Sequence, residues 1–433
     1  MKELIKTYLA DIIRKMAPGF TGEIPVMIPE NKERGDYTSK VAFGLSKILS
    51  ARGGSALGGK KSPQLIAEEL VKKLNAQKIK DFSKIEAVNG FINFSLSPRC
   101  LRGFIGRILK EKNKYGRPAA KGGLKINVEF ISANPTGPLT IGNGRGGFYG
   151  DTLANVLETQ GHKVRREYYI NDRGEQILTL GRSIKAARGE KVEGDPESFY
   201  KGDYIKELAG NIGKNLTAEE AGQKAVELIL KTYIKPAIKK LGIKFDVWFS
   251  EKTLYKKENY DKALRILMAG DYIYEKDGAV WMKTAELGDT EDRVLIKKDK
   301  NETYFLSDIL YHYDKFKTRK FDKAIDIWGA DHHGYAPRLI AALKPLGIPE
   351  ENLDIVITQL VRLVKGGKEV KISKRAGTFI TLEELVSEVG ADAARFFFLM
   401  YSPNTHMDFD MALAKERSQK NPVYYVQYAH ARI

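Results

Sequence analysis

Between residues 125 and 170 the chain reads as strand, loop, helix and strand, and this order constrains the fold more than any other feature. In KINVEFI (125–131) Ile126, Val128 and Phe130 alternate as in a strand. A loop carrying Pro135 and Pro138 follows, then a helical stretch over 143–160, then a second strand, VRREYYI (164–170). Two strands joined through a helix make a βαβ unit, which implies an α/β fold with a parallel sheet of nucleotide-binding type. Gly142, Gly144, Gly146 and Gly147 fall where that helix begins. Glycine there lets a backbone approach a phosphate, and the free N–H groups of a helix start attract its charge.

GNGRGG (142–147) also satisfies the G-x-G-x-x-G pattern of dinucleotide-binding enzymes, so hydride transfer is an alternative. In that pattern the glycines follow the strand at once, whereas here the Pro135–Pro138 loop separates them from Ile131. A short lysine run at KISKR (371–375) would by itself read as solvated surface, but its flanking Gly366, Gly367 and Gly377 favour a functional loop. Thr381, with Glu384 three residues on, predicts a capped helix start just beyond it.

A chain of 433 residues exceeds one compact core, so several domains are expected. Lys+Arg 72 against Asp+Glu 55 gives +17, which favours a polyanionic partner such as nucleic acid. The single cysteine, Cys100, excludes a disulfide framework within the chain, makes a thiolate zinc site improbable and suits a reducing cytoplasm. No segment approaches the roughly 18 apolar residues that cross a bilayer. The amino terminus carries Glu3 and Asp11, unlike a targeting peptide, and places Leu4, Ile5, Leu9, Ile12, Ile13 and Met16 on one helical face. Helical patterns at 1–16, 37–51 and 64–76 with the alternating run FINFSL (91–96) predict a small α+β domain over 1–115. The glycine-rich loop 51–63 reads as a connector, and the lysine-rich stretch 110–123 as the linker to a second domain over 116–415.

ETYFLSDILYHYDKF (302–316) is amphipathic: Phe305, Leu306, Ile309, Leu310, Tyr313 and Phe316 form an apolar stripe. Tyr304, Asp308 and His312, spaced i, i+4 and i+8, project from another face. An aromatic ring one turn from a carboxylate suits a guanidinium, which can be held in a two-pronged salt bridge and stacked upon. His332 and His333 in WGADHHGYAPRL (328–339) follow the strand AIDIW, but adjacent side chains do not usually chelate one ion, so no protein-held zinc or other metal is expected.

These segments resemble class I aminoacyl-tRNA synthetases. Thr140, Ile141, Gly142 and Asn143 occupy the family's His-x-Gly-His signature, with both histidines replaced; hydroxyl and amide groups can donate to triphosphate oxygens as imidazoles do. KISKR is similar to the mobile loop that closes over the triphosphate, implying charge neutralisation by Lys371 and Lys374 with Ser373 holding the turn. The resemblance implies that Gly329 and Asp331 bind the ATP ribose and that Gly142 and Gly144 serve the phosphates. SANPTGPL, YYINDRGEQI (168–177), VWFSE (247–251), YFLSDILYHYDKF, WGADHHGY and KISKRAGT occur in the order found in arginyl-tRNA synthetases of bacterial type and cover most of residues 125–430. That resemblance implies that Ser132 and Asn134 meet the amino and carboxylate end of arginine, and that Glu251, Tyr304 and Asp308 meet its guanidinium, with His333 lining the same pocket. RGDYTSKVAFGLSK (34–47) and GFINFSLS (90–97) resemble the family's added amino-terminal domain, which contacts tRNA.

The expectation is therefore an ATP- and magnesium-using arginine–tRNA ligase, a cytoplasmic monomer acting on L-arginine and tRNA(Arg) away from membranes. Residues 416–433 resemble the start of the helical anticodon-binding domain, so a truncated carboxyl-terminal domain is expected. A non-catalytic tRNA-binding relative, or an inactive fragment of such an enzyme, is the alternative that the replaced histidines leave open. A lysine-specific enzyme is the competitor that an acidic pocket leaves open.

Overall fold

The structure, a computed structural model, describes residues 1–51, 62–117, 122–255, 257–365, 368–370 and 380–433. Two compact units divide the chain, Met1–Gly116 and Arg117–Ile433. In the first, helices Lys2–Met16, Val41–Ala51, Pro63–Ala76 and Pro98–Glu111 accompany an antiparallel sheet in the order Val26–Met27, Tyr37–Ser39, Phe91–Leu96, Phe82–Val88. Ile5, Leu9, Ile12 and Ile13 enter its core as their helical spacing requires, while Leu4 stays at the exposed edge of that face. The helix expected over 37–51 starts only at Val41. Tyr37–Ser39 pairs instead with Phe91–Leu96, because Tyr and Thr suit a pleated strand and a partner strand is at hand.

The second unit is built on five parallel strands: β1 (Lys125–Glu129), β2 (Lys163–Ile170), β3 (Val247–Ser250), β4 (Lys323–Gly329) and β5 (Leu353–Thr358). Their order is β5-β4-β1-β2-β3. The chain winds outward in both directions from β1, so a cleft opens beyond the carboxyl ends of β1 and β4, where such sheets bind ligands. Helix α1 (Ile141–Thr159) packs on the face that receives Val128 and Phe130. At Gly150 a Cβ would lie 2.3 Å from the Phe130 ring, so only glycine allows that approach. Helix α2 (Glu175–Ala187) follows β2, and helix α3 (Tyr304–Tyr313) precedes β4. No helix among the described residues is long and apolar enough to cross a membrane.

The opposite face of the sheet is polar at its centre. Pairing register sets Asp326 of β4, Glu129 of β1 and Glu167 of β2 side by side. Strands about 4.8 Å apart thus carry a row of carboxylates. Cations come from the π-helical turn Asp314–Thr318 that continues α3 and from Arg319 just beyond it. Lys315 Nζ donates to Glu129 at 2.9 Å and to Asp326 at 2.7 Å. The Arg319 guanidinium and the Tyr311 hydroxyl donate to Glu167, and His312 Nε2 bonds Asp326 at 2.7 Å. Lys315 and Asp326 are both 0% exposed. Burial alone would discharge Lys315, but the facing Asp326 and Glu129 raise its pKa.

Removing one partner of a buried ion pair leaves the others unpaired and costs about 3–5 kcal/mol. Lys315→Met is expected to lower the stability of this unit by that order, read as a depressed melting transition in calorimetry. A loss within about 0.5 kcal/mol, as at an ordinary surface position, would show that the row does not hold the unit together.

Candidate functional site

The chain leaves β1 through two consecutive non-glycine residues with positive φ, Ile131 (67°) and Ser132 (38°). Such a conformation is rare, above all for a β-branched residue, and marks a segment held by its surroundings. Ser132 Oγ accepts the Tyr169 N–H at 3.1 Å. Tyr168 and Tyr204 donate their hydroxyls to the Ala133 and Thr136 carbonyls at 2.8 and 3.0 Å. The 132–138 loop, which has no ladder of its own, thereby gains anchors.

At the start of α1, Asn143 Oδ1 accepts both the Thr140 N–H at 2.9 Å and the Thr140 hydroxyl at 3.1 Å. The hydroxyl expected to donate to a triphosphate is thus turned onto Asn143. Thr140, Gly142, Asn143, Gly329 and Asp331 line a cavity of about 230 Å³, with Gln359 on another wall. A Cβ at Gly329 would stand 2.6 Å from Asp331 Oδ1, so the glycine makes room for that carboxylate. Gly144 departs from expectation: it is buried, and its Cβ would lie 2.7 Å from Leu382 Cδ1. It serves the packing of α1 on the helix Leu382–Val389, because two residues along a helix turn a side chain to the far face. The Thr381 capping box with Glu384 forms as its spacing requires, and Leu382 N–H donates to the Leu139 carbonyl at 2.9 Å. Lys371, Ser373 and Lys374, with the glycines that flank them, lie outside the described residues.

A neighbouring cavity of about 510 Å³ shares Ile131, Trp328 and Gly329 with the first. Ser132, Asn134, Tyr304 and Asp308 line it, together with Glu129 and His332, which the sequence did not single out for this pocket. His333 does not: both histidines are exposed, but the short 3-10 turn Ala330–His332 presents only His332 to the cavity. Tyr304 is 57% exposed, Asp308 half-buried and His312 buried, so their shared helical face runs from solvent down to the carboxylate row. Glu251 lies beside this group rather than within it. It borders a third cavity of about 710 Å³ that shares Tyr304 and Ser307 with the second. Ser307 Oγ donates to Glu251 Oε1 at 2.9 Å.

Neither Asp308 nor Glu251 is bonded to a cation among the described residues, though the Arg173 charge acts on Glu251. Burial raises the Asp308 pKa, against the Tyr335 hydroxyl bonded to its carboxylate and the nearby His312 and His332. Burial pushes Glu251, 2% exposed, up to about 7, against the bond from Ser307. Glu251 Oε2 has no hydrogen-bond partner among the described residues. Asn171 Oδ1 and Gln176 Nε2, buried and likewise unpartnered, lie in residues lining the second cavity. Both belong to YYINDRGEQI, where the sequence alone showed no chemical role, and Glu129 was read there only as a strand residue. A cationic ligand fits acids placed this way, since it restores the solvation that burial removes. Among the described residues, no three His, Cys, Asp or Glu side chains gather as a metal-ion site.

The sequence matches the family described as tRNA synthetases class I (R), catalytic domain, over residues 104–400 and the arginyl tRNA synthetase N terminal domain over residues 3–96. Arginine–tRNA ligase of Thermotoga maritima is 45% identical, with 99% of this chain and 79% of that protein covered. The Aquifex aeolicus enzyme of the same name is 43% identical, covering 100% of this chain and 80% of that one. In fold, the chain is similar to Thermus thermophilus arginyl-tRNA synthetase with a TM-score of 0.70, at 20% identity and covering 100% and 81% of the two chains.

The raised pKa of Glu251 makes stability depend on pH. The folded chain holds this proton more tightly than the unfolded one, whose carboxyl titrates near 4.5. Its contribution is therefore full below about pH 4.5 and is lost as pH rises through about 7. Glu251→Gln keeps the shape and removes the titration. The variant is expected to gain on the parent by about 3 kcal/mol between pH 4.5 and pH 8, read as a melting-temperature difference that widens with pH. A pH-independent difference would contradict the desolvated carboxyl.

Proposed function

The chain belongs to the arginine–tRNA ligase family of class I synthetases, and from that premise we propose how its cavities share the work of joining L-arginine to tRNA(Arg) with ATP. The observation that carries the reading is a pair of acids, half-buried Asp308 and buried Glu251, bordering Tyr304 and Ser307 with no cation bonded to either among the described residues. The guanidinium enters between them and is covered by the Tyr304 ring. Ser132 and Asn134 orient the opposite end of the amino acid, and Glu129, held by Lys315, takes the ammonium. That geometry favours arginine over lysine, whose ammonium lacks the planar fork that grips a carboxylate through two parallel bonds.

ATP occupies the smaller cavity, its ribose at Gly329 and Asp331 and its phosphates towards the start of α1. Gly142 and Asn143 stand at that start, and the Asn143 amide donates there while its carbonyl stays with Thr140. Lys371 and Lys374, with Ser373, neutralise charge on the departing pyrophosphate. The arginine carboxylate attacks the α-phosphorus, forming arginyl-adenylate as the bond to pyrophosphate breaks. A terminal ribose hydroxyl of the tRNA then attacks the arginyl carbonyl, and AMP leaves. Magnesium travels with the triphosphate, coordinated chiefly by phosphate oxygens and water. The first unit, with its match to the N-terminal domain family, contacts the tRNA.

Asp308→Asn keeps the shape and the Tyr335 contact but removes the charge that pairs with guanidinium. Truncating one partner of a buried charge pair costs about 2–5 kcal/mol, so the arginine KM is expected to rise by a factor of roughly 30 or more in arginine-dependent pyrophosphate exchange with tRNA(Arg) present. Unchanged use of arginine by this variant, or exchange supported equally by lysine in the parent, would refute the pocket assignment.

A further inference from the structure

Arg145 occupies the second turn of α1, between Asn143 and Gly146, both of which line the smaller cavity. Its own side chain turns inward and is 1% exposed. Nη2 donates to the Ser402 carbonyl at 2.7 Å. Nε and Nη1 are buried without a hydrogen-bond partner among the described residues. Burial lowers its pKa, and no carboxylate among the described residues offsets that effect. Other arginines near the same helix are treated differently: Arg166 and Arg395 both meet Asp151. An unpaired buried charge is unfavourable, and a hydrocarbon chain of similar volume commonly folds more stably in such a place. The Arg145 charge therefore needs a reason other than stability.

The surroundings of Ser402 supply that reason. The carbonyl of Pro403 accepts the Gln359 N–H at 2.8 Å, and the carbonyl of Leu360 accepts the Met407 N–H at 3.3 Å. Gln359 and Leu360 are themselves walls of the smaller cavity. A single buried guanidinium thus belongs to the helix that forms one wall and is bonded to the turn that holds another. We propose that Arg145 is a positioning residue for the nucleotide, with two actions. Its bond to Ser402 holds the Gln359–Leu360 wall against α1. Its uncompensated charge, kept in a low-dielectric interior beside the helix start, is balanced only when the triphosphate arrives, and so draws the phosphates to Gly142 and Asn143. The proposal rests on the reading of this cavity as the ATP site.

The test compares the full chain with Arg145→Met and Arg145→Lys, measuring the Kd of MgATP and of arginine by calorimetry and the melting temperature of each protein. The Met variant is expected to bind MgATP about tenfold or more weakly, to bind arginine within about twofold of the parent, and to melt no lower. The Lys variant keeps the charge and is expected to recover most of the MgATP affinity. Unchanged MgATP affinity in the Met variant would overturn the proposal. So would a Lys variant as weak as the Met variant, since charge would then not be the operative property. Joint loss of ATP and arginine binding with a lower melting temperature would make Arg145 a structural residue only. A parent chain that binds arginine but not MgATP would instead overturn the reading of the cavity, and this proposal with it.

Discussion

The row formed by Asp326, Glu129 and Glu167 across β4, β1 and β2 is the constraint from which the site follows. Acids at adjacent positions of parallel strands repel one another and cannot be buried unless cations reach them together. Those cations, Lys315 and Arg319, lie on and directly after the turn that continues α3, whose own residues Tyr311 and His312 complete the bonding. The row therefore fixes the height and rotation of α3 above the sheet. Tyr304, Ser307 and Asp308 are carried on the same helix to the mouth of the cleft. The polar network and the ligand pocket are successive turns of a single element.

The cleft itself is a consequence of topology. Strand order places the carboxyl ends of β1 and β4 together, and the segments leaving them build both cavities. Ile131, Trp328 and Gly329 belong to both, so the amino acid and the nucleotide proposed for them would lie in adjacent compartments. Proximity of this kind is the main contribution a protein can make to a reaction whose partners already carry the needed chemistry. The strained exit through Ile131 and Ser132 stands at that junction and is held by tyrosine hydroxyls from outside the loop. Rigidity there comes from the scaffold.

Local signals carried much of this architecture. The alternation in KINVEFI and the helix at 143–160 were readable because each depends on near neighbours. The Thr381–Glu384 capping box and the face shared by Tyr304 and Asp308 were readable for the same reason. What depends on register between strands was not. Nothing near Glu129 in sequence shows that it faces Asp326 and Glu167, and Lys315 reads as a surface lysine until its partners are known. The choice between His332 and His333 turns on a short 3-10 turn, and the packing role of Gly144 on a helix more than two hundred residues away. The helix Pro98–Glu111 and the small antiparallel sheet formed by Ile273–Lys276, Ala279–Met282 and Arg293–Ile296 carried no chemistry that singled them out. The first runs into residues read as a linker. The strands of the second are short and mostly half-buried, with little alternation to detect.

The claim at the centre of this account is that a guanidinium supplies the bonded cation that Asp308 and Glu251 lack among the described residues. With the Glu251 carboxyl raised to about 7, part of the protein carries that proton at neutral pH, and a bound guanidinium must expel it. The most direct measurement is calorimetric binding of arginine and of citrulline, its uncharged isostere, at pH 7 in two buffers of different ionisation enthalpy. Release of about half a proton on binding arginine, with weak binding and no release for citrulline, is the predicted result. Arginine bound without proton release, or citrulline bound as tightly as arginine, would contradict it.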